Sequence, residues 1–419
     1  MNIALVFSSF SPYHHARALA LSRACQEKGF PLVVAAMTAP RLSHQWTPTT
    51  DLSIDVLCRY GSDGDVSLPE LLSAWTRFLT KYRPAAVLVA GYWPASVTLL
   101  SLVALAKRIP RILMTESHAA TAKQKGVTAL AKRLIVRSFS AAIVGGKPHA
   151  EYLMSLGFDP THIRDGYDCV DNEYFEREAA AVRASSQEFR SRYGLPKDFF
   201  LTVARLVPKK NIGILINAYS QYCNQVPGNA FDLVIVGEGA LASSLRAQCA
   251  SLGHPVRDVS LHSFAADSTL PQQQDISEKP TIHFYGSRKI NETPIFFALA
   301  HAFVLPSIEE EWGLVVNEAM ASGCPVILSE RAGCARDLVP PAVNHDHPLT
   351  DASKLCSTGL LVDPTSPEDL IHGLSLMTSS PELRGSLAVS AQRIVKQYSP
   401  RRFADHAIQL IELLCCKQL

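Results

Sequence analysis

The first half of the chain alternates short apolar runs with longer stretches in which apolar and polar positions recur at helical spacing. The runs NIALVFS, PLVVAA, AVLVA, RILMTE and AAIVGG hold few polar residues, so each reads as a strand covered on both faces. Helices are expected between them near residues 12–28, 68–82, 95–107 and 127–138. Alternation of this kind implies parallel strands joined by crossover helices. The pattern loosens over RDGYDCVDNEYFEREAAAVRASSQEF, a polar stretch with few buried-strand signals that reads as an inter-domain linker. It then restarts with FFLTVARL, a helix NIGILINAYSQY, FDLVIVG and a helix ALASSLRAQCASL. Residues 253–280 read as an irregular polar insertion. TIHFYG, a short helix, AFVLPS, the helix GLVVNEAMASG, PVILSE and GLLVDP follow, and the chain closes with helices ending in RRFADHAIQLIELL.

The expected architecture is therefore α/β, with two Rossmann-like, doubly wound parallel sheets in series. The expected boundaries are 1–175 for the first domain, 176–398 for the second and 399–419 for a final helix that crosses back to the first. Ligands of such sheets bind outside the carboxyl ends of the strands, and two such edges facing each other would form a cleft.

One stretch reads two ways. Between Arg83 and Lys107 lie 23 uncharged residues, long enough to span a bilayer. Gly91 and Pro94 interrupt it, so it divides better into a buried strand AAVLVA, a turn GYWP and a helix with Pro94 near its first turn.

Composition narrows the class. With 47% hydrophobic and 19% charged residues in 419, the chain is neither disordered nor a coiled coil. Forty basic against 38 acidic residues leave a net charge of +2, so no overall field captures nucleic acid. The ten cysteines show no paired metal spacing such as CxxC and read as reduced thiols, which points to the cytoplasm. The start, MNIALVFSSFSPYHH, lacks the basic segment and cleavage site of a secretory signal. Residues 416–419 have the length of a prenylation box, but Lys417 and Gln418 are not aliphatic.

The strongest chemical signal is PSIEEEWGLVVNEAMASGCPVI. A strand ends at Pro306 and Ser307, a loop carries Glu309, Glu310 and Glu311, and Trp312 and Gly313 open a helix. The N–H groups from about Gly313 through Leu314 to Val315, with the positive end of the helix dipole, suit a diphosphate. Glu318 lies about 7.5 Å further along the axis, near the offset between a diphosphate and a ribose, and a carboxylate can accept from both hydroxyls of a vicinal diol. Glu310 can reach a sugar beyond the diphosphate. Any single glutamate here could equally serve the dipole alone.

Taken together, the segment resembles the retaining glycosyltransferases of family 4, which have the GT-B fold. The resemblance rests on Glu310, Trp312-Gly313-Leu314, and Glu318-Ala319-Met320-Ala321 through Gly323, Pro325 and Val326. It implies that Glu310 contacts the donor sugar and Glu318 the nucleotide ribose. Glu311 departs from the usual small or proline residue, which leaves Glu309 and Glu311 as alternative acids.

In FFLTVARLVPKKN, Arg205 and Lys210 follow a strand and could neutralise a departing diphosphate. Family members carry an Arg and a Lys at this spacing. Gly237, Gly239 and Ala242 fit GxGxxA after a strand. That pattern is a weak dinucleotide fingerprint, a tight turn, or, as the resemblance implies, backbone room at Gly237 beside the nucleotide. His118 follows a first-domain strand where the family usually has a histidine near the donor sugar. Tyr13, His14 and His15 replace the glycine-rich turn of many relatives and fall on the acceptor side. Residues 123–137 carry Lys123, Lys125, Lys132, Arg133 and Arg137 beside an apolar stripe of Val127, Leu130, Ala131, Leu134 and Phe139. They read as the solvated face of a packed helix or, alternatively, as a peripheral contact for a membrane surface or an anionic acceptor. Asp63-Gly64-Asp65 and His345-Asp346-His347 look like metal ligands but lie in polar loops, and no metal or other cofactor is expected.

The resemblance implies a hexosyltransferase working without metal from a nucleotide sugar, a UDP-sugar favoured over a GDP-sugar. The acceptor would be a sugar, a small molecule or a lipid-linked hydroxyl. A sugar-nucleotide epimerase of the same fold, or an NAD-dependent oxidoreductase using Gly237 and Gly239, is the alternative.

Overall fold

The structure, a computed structural model, describes residues 1–38, 52–58, 67–92, 95–122, 127–259, 280–341 and 354–415. Two compact units emerge: Met1–Asp171 with Tyr398–Leu419, and Asn172–Gln397. No helix among the described residues is long and apolar enough to cross a membrane.

The first unit holds strands β1 (Ile3–Ser9), β2 (Leu32–Thr38), β3 (Ile54–Cys58), β4 (Ala86–Ala90), β5 (Arg111–Thr115), β6 (Ala141–Val144) and β7 (Ile163–Arg164). They form a parallel sheet in the order β3-β2-β1-β4-β5-β6-β7. Its helices are α1 (Pro12–Glu27), α2 (Leu68–Tyr82), α3 (Ala95–Ala106), α4 (Val127–Arg137), α5 (Lys147–Ser155) and, from the far end of the chain, α15 (Pro400–Cys415). The 84–106 stretch thus resolves into β4 and α3, with Gly91 at φ +81° between them. The order turns between β1 and β4, which makes their carboxyl ends the unit's natural ligand crevice.

The second unit holds β8 (Phe199–Val203), β9 (Asp232–Val236), β10 (Val256–Asp258), β11 (Ile282–Phe284), β12 (Ala302–Leu305), β13 (Val326–Ser329), β14 (Lys354–Leu355) and β15 (Gly359–Val362). The order is β10-β11-β9-β8-β12-β13-β15-β14, parallel except for the two-residue edge strand β14. Its helices are α6 (Asn172–Ala184), α7 (Ser186–Tyr193), α8 (Ile212–Gln225), α9 (Ala242–Ser251), α10 (Thr293–Leu299), α11 (Leu314–Ala321), α12 (Ala335–Leu338), α13 (Pro367–Ser379) and α14 (Pro381–Val395). Here the order turns between β8 and β12, so the loops that follow these two strands meet at the switch point.

Local chemistry explains several elements. In α2, Ser67 and Glu70 form a capping box, with the Ser67 N–H donating to Glu70 Oε2 at 3.1 Å. The helix buries Leu71, Ala74, Trp75, Phe78 and Leu79 at three- and four-residue steps. In α15, Phe403, Ala404, Ala407, Ile408, Leu410, Ile411 and Cys415 make a similar stripe, and it fills one side of the first unit's core.

Some expectations fail. The stretch read as a linker holds the junction of the two units at Asp171 and Asn172, but from there on it is α6 and α7, and Phe175, Ala179 and Val182 of α6 are buried. Its polar composition comes from the exposed faces of two surface helices. The 253–280 insertion contributes edge strand β10, and residues 260–279 lie outside the described residues. So do Pro94, Lys123, Lys125, Asp63-Gly64-Asp65 and His345-Asp346-His347. The apolar stripe is misplaced in part: Leu130 and Leu134 of α4 are 59% and 63% exposed, whereas its last member, Phe139, faces the core together with Val136, which the stripe left out.

Candidate donor site

The loops after β8 and β9 run side by side. The Ala204 N–H donates to Val236 O at 3.0 Å, Leu206 N–H to Glu238 O at 2.8 Å, and Leu241 N–H back to Leu206 O at 3.0 Å. This approach leaves no room for side chains. A Cβ on Gly237, whose φ is +144°, would lie 1.9 Å from Ala204 O, and one on Gly239 would lie 2.4 Å from Leu206 O. The GxGxxA spacing therefore lets two loops touch. The structure gives Gly237 this packing task.

Arg205 sits between the two pinned residues. Its side chain is exposed and makes no ion pair among the described residues. A 3₁₀ turn, Pro208–Lys210, then leads through left-handed Asn211 (φ +59°) into α8. The turn sends Lys209 and Lys210 opposite ways. Lys209 reaches outward to Glu311 at 3.3 Å and Glu309 at 3.7 Å. Lys210 turns inward and pairs with Glu310. The Ile308 N–H donating to Lys209 O at 2.9 Å ties the loops together.

This interleaving separates the three consecutive acids. Glu310 and Lys210 are each 8% exposed, whereas Glu309 and Glu311 face outward. Glu310 Oε2 also accepts from Ser307 Oγ at 3.3 Å, and its carbonyl accepts from the Gly333 N–H at 3.1 Å. Burial pushes the Glu311 carboxyl up. Its backbone hydrogen bond and the ammonium groups of Lys209 and Lys210 outweigh that, and the pKa falls below the ordinary glutamate value. Lys209 went unnoticed in the sequence, although the Lys-Lys doublet opposite a Glu-Glu-Glu run was visible.

Gly313, at φ +100°, opens α11, and a Cβ there would sit 3.2 Å from Glu310 Cγ. The first N–H groups of α11, near Leu314 and Val315, have no carbonyl of their own helix to reach. Glu318 is 3% exposed, with Thr293 Oγ1 at 3.4 Å from Oε2. Trp312, placed on the donor from the sequence, is fully buried, and its indole N–H donates to Asn317 Oδ1 at 2.8 Å. It braces the helix start from the core and presents no ring to a ligand.

In the first unit, His118 follows β5, 5% exposed, with its ring edge-on to His149 at 5.2 Å. The Thr121 and Ala122 N–H groups donate to the His118 carbonyl at 3.2 and 3.1 Å. Tyr13, His14 and His15 form the first turn of α1, capped by Ser11. His14 Nδ1 donates to Ser9 O at 2.9 Å, and its ring stacks on Phe7 at 4.2 Å. Burial, then the nearby Arg17 cation, push its pKa down to about 3, so the imidazole is neutral. Burial also lowers His15, with Asp171 pulling the other way. Arg17 was missed altogether. It is 2% exposed, lies 4.2 Å above the Tyr167 ring and 3.9 Å from Asp168 Oδ1. Burial, then Glu116, raise the Asp168 carboxyl against the pull of Arg17. An arginine on the buried stripe of α1, beside Ala18 and Leu21, was the available signal.

Two doubly wound units of this topology define the GT-B class of glycosyltransferase folds, and solved structures agree. A glycosyltransferase from Rickettsia africae superposes with a TM-score of 0.68 at 13% identity, covering 99% of this chain and 98% of that one. The HepE protein of Anabaena in complex with UDP and glucose gives 0.64 at 16% identity, covering 98% of each chain. The family model described as glycosyl transferases group 1 matches residues 185–394, half of the chain. The chain belongs to that family. Among curated relatives, the D-inositol 3-phosphate glycosyltransferase of Thermomonospora curvata is 24% identical over 64% of this chain and 54% of its own length. The chain spans about half the length of the curated relatives it matches.

Proposed function

We propose that this chain is a retaining hexosyltransferase that takes its sugar from a nucleotide sugar, a UDP-sugar in preference to a GDP-sugar. The observation that carries the proposal is the charge arrangement at the β8/β12 switch point. Arg205, without an ion pair among the described residues, buried Lys210, the start of α11 and the buried acids Glu310 and Glu318 all belong to the loops and the helix that follow β8 and β12, a charge set suited to a diphosphate and its two sugars. Glu318 would hold the ribose hydroxyls and Glu310 those of the sugar. Arg205 and Lys210 would stabilise the charge that develops as the bond from the anomeric carbon to the β-phosphate oxygen breaks. The acceptor oxygen forms the new bond to that carbon, and its proton passes to the leaving phosphate. No metal is needed for this, because the cations and the helix dipole supply the positive charge.

The acceptor would be a sugar, a cyclitol or a lipid-linked hydroxyl, with Tyr13, His14, His15 and His118 offering polar contacts. The name of the Thermomonospora relative, an inositol phosphate glycosyltransferase, supports the cyclitol option. Exposed Leu130 and Leu134 beside Arg133 and Arg137 support peripheral contact with a membrane surface carrying such an acceptor. Among the described residues, Cys25, Cys169, Cys223, Cys249 and Cys324 are buried thiols, which supports the reading of a reducing cytoplasm.

The test is a thermal-shift screen of nucleotide sugars, since a bound donor raises stability by mass action. A UDP-sugar is expected to raise the midpoint, and Arg205→Ala and Glu318→Ala to reduce that rise. Arg205→Ala should also cut turnover by roughly a hundredfold. A full rise and normal turnover in Arg205→Ala would remove the diphosphate role.

A further inference from the structure

The Lys210 ammonium is committed before any ligand arrives. Its side chain is buried, and among the described residues its one ion-pair partner is Glu310. Arg205, five residues earlier, is exposed, and Lys209 is occupied by the outward-facing Glu309 and Glu311. The two loops thus divide their charges into a buried pair, a half-exposed triad and, among the described residues, one cation without an ion pair.

We propose that the Lys210–Glu310 pair makes the site discriminate a nucleotide sugar from the bare nucleoside diphosphate. This rests on the donor site described above. A diphosphate that draws Lys210 toward itself competes with Glu310 for the same ammonium. It also brings its own charge near a carboxylate that is too buried for water to screen. The sugar of a donor offsets this, because each of its hydroxyls can donate to the Glu310 carboxylate as Lys210 is drawn away. A bare nucleoside diphosphate has no such donors and ends in a second anionic phosphate. The pair therefore favours substrate over product at one position, and the product leaves once the sugar has gone.

Calorimetric titration of the full chain tests this with four probes: UDP, UDP-glucose, GDP and GDP-mannose. Glu310→Gln frees Lys210. It should bind the bare diphosphate more tightly, on the order of tenfold, while affinity for the sugar form rises less or falls. Glu311→Gln removes an equal charge from the same loop but keeps the Lys210–Glu310 contact, so it should leave the ratio of the two affinities as in the wild type. In a Lys210→Met background, Glu310→Gln should no longer tighten the bare diphosphate. Glu310→Asp, which keeps the charge and shortens the reach, should fall between wild type and Glu310→Gln and serves if the amide variant does not fold. An unchanged ratio in Glu310→Gln, or an equal change in Glu311→Gln, would overturn the proposal. A wild-type chain that binds none of the four probes would instead overturn the donor-site assignment itself.

Discussion

His14 shows how a single side chain is set by its immediate surroundings. Its Nδ1 proton is held by Ser9 O, its ring lies on Phe7, and Arg17 is close by, so the native state refuses a proton until about pH 3. The unfolded chain accepts one near pH 6.5. Between those values the unfolded state binds more protons, so stability falls as pH falls. The loss from this residue should approach about 1.4 kcal/mol per pH unit below pH 6. Denaturant melts at several pH values should show a shallower acid slope for His14→Phe than for the wild type. Parallel slopes would mean the native imidazole titrates normally. At this scale the sequence picked out the acids and cations that the loops after β8 and β12 carry but not how they pair. Gly237 and Trp312 sit where the family pattern puts them, yet one admits a neighbouring carbonyl and the other packs behind the helix. A motif reports position, whereas the direction a side chain takes depends on loops that are remote in sequence.

Among elements, the long apolar runs were legible because burial on both faces leaves no polar alternation to misread. β3, β7, β10 and β14 were not, being the edge strands of the two sheets, three of them only two or three residues long. α6 and α7 were hidden for the opposite reason, since a surface helix needs only a narrow apolar stripe. The last helix was legible and is also the element most open to test. Its stripe enters the core of the first unit, and Arg402 holds Asp165 through Nε and NH2 at 2.9 Å each. The Asp165 carbonyl is 2.8 Å from His406 Nδ1. Burial would raise the Asp165 carboxyl, but His406 and Arg402 hold it well below its ordinary value. Leu410→Ala, at a fully buried position, should cost about 2–5 kcal/mol in a denaturation experiment. A loss below about 0.5 kcal/mol, the level of a surface change, would mean that α15 does not carry the core.

At the scale of the whole molecule, the second unit is one continuous segment, while the first is assembled from both ends of the chain. Residues 172–397 expressed alone should fold cooperatively and keep the affinity for a bare nucleoside diphosphate, because the proposed donor groups all lie inside them. Residues 1–171 alone lack the helix that covers their core and should be largely insoluble. A soluble, cooperatively melting 1–171 fragment would contradict this, as would a 172–397 fragment that folds without binding nucleotide.

The side-by-side pinning of the loops after β8 and β9 has a thermodynamic consequence. Ala204 and Leu206 are both anchored by backbone hydrogen bonds, so the main chain of Arg205 is already ordered between them. Capturing an anion would then freeze only the torsions of its side chain, an entropic toll of at most roughly 2 kcal/mol. The guanidinium behaves as a tether with a fixed root and a free tip, able to search for a partner without loosening the sheet behind it.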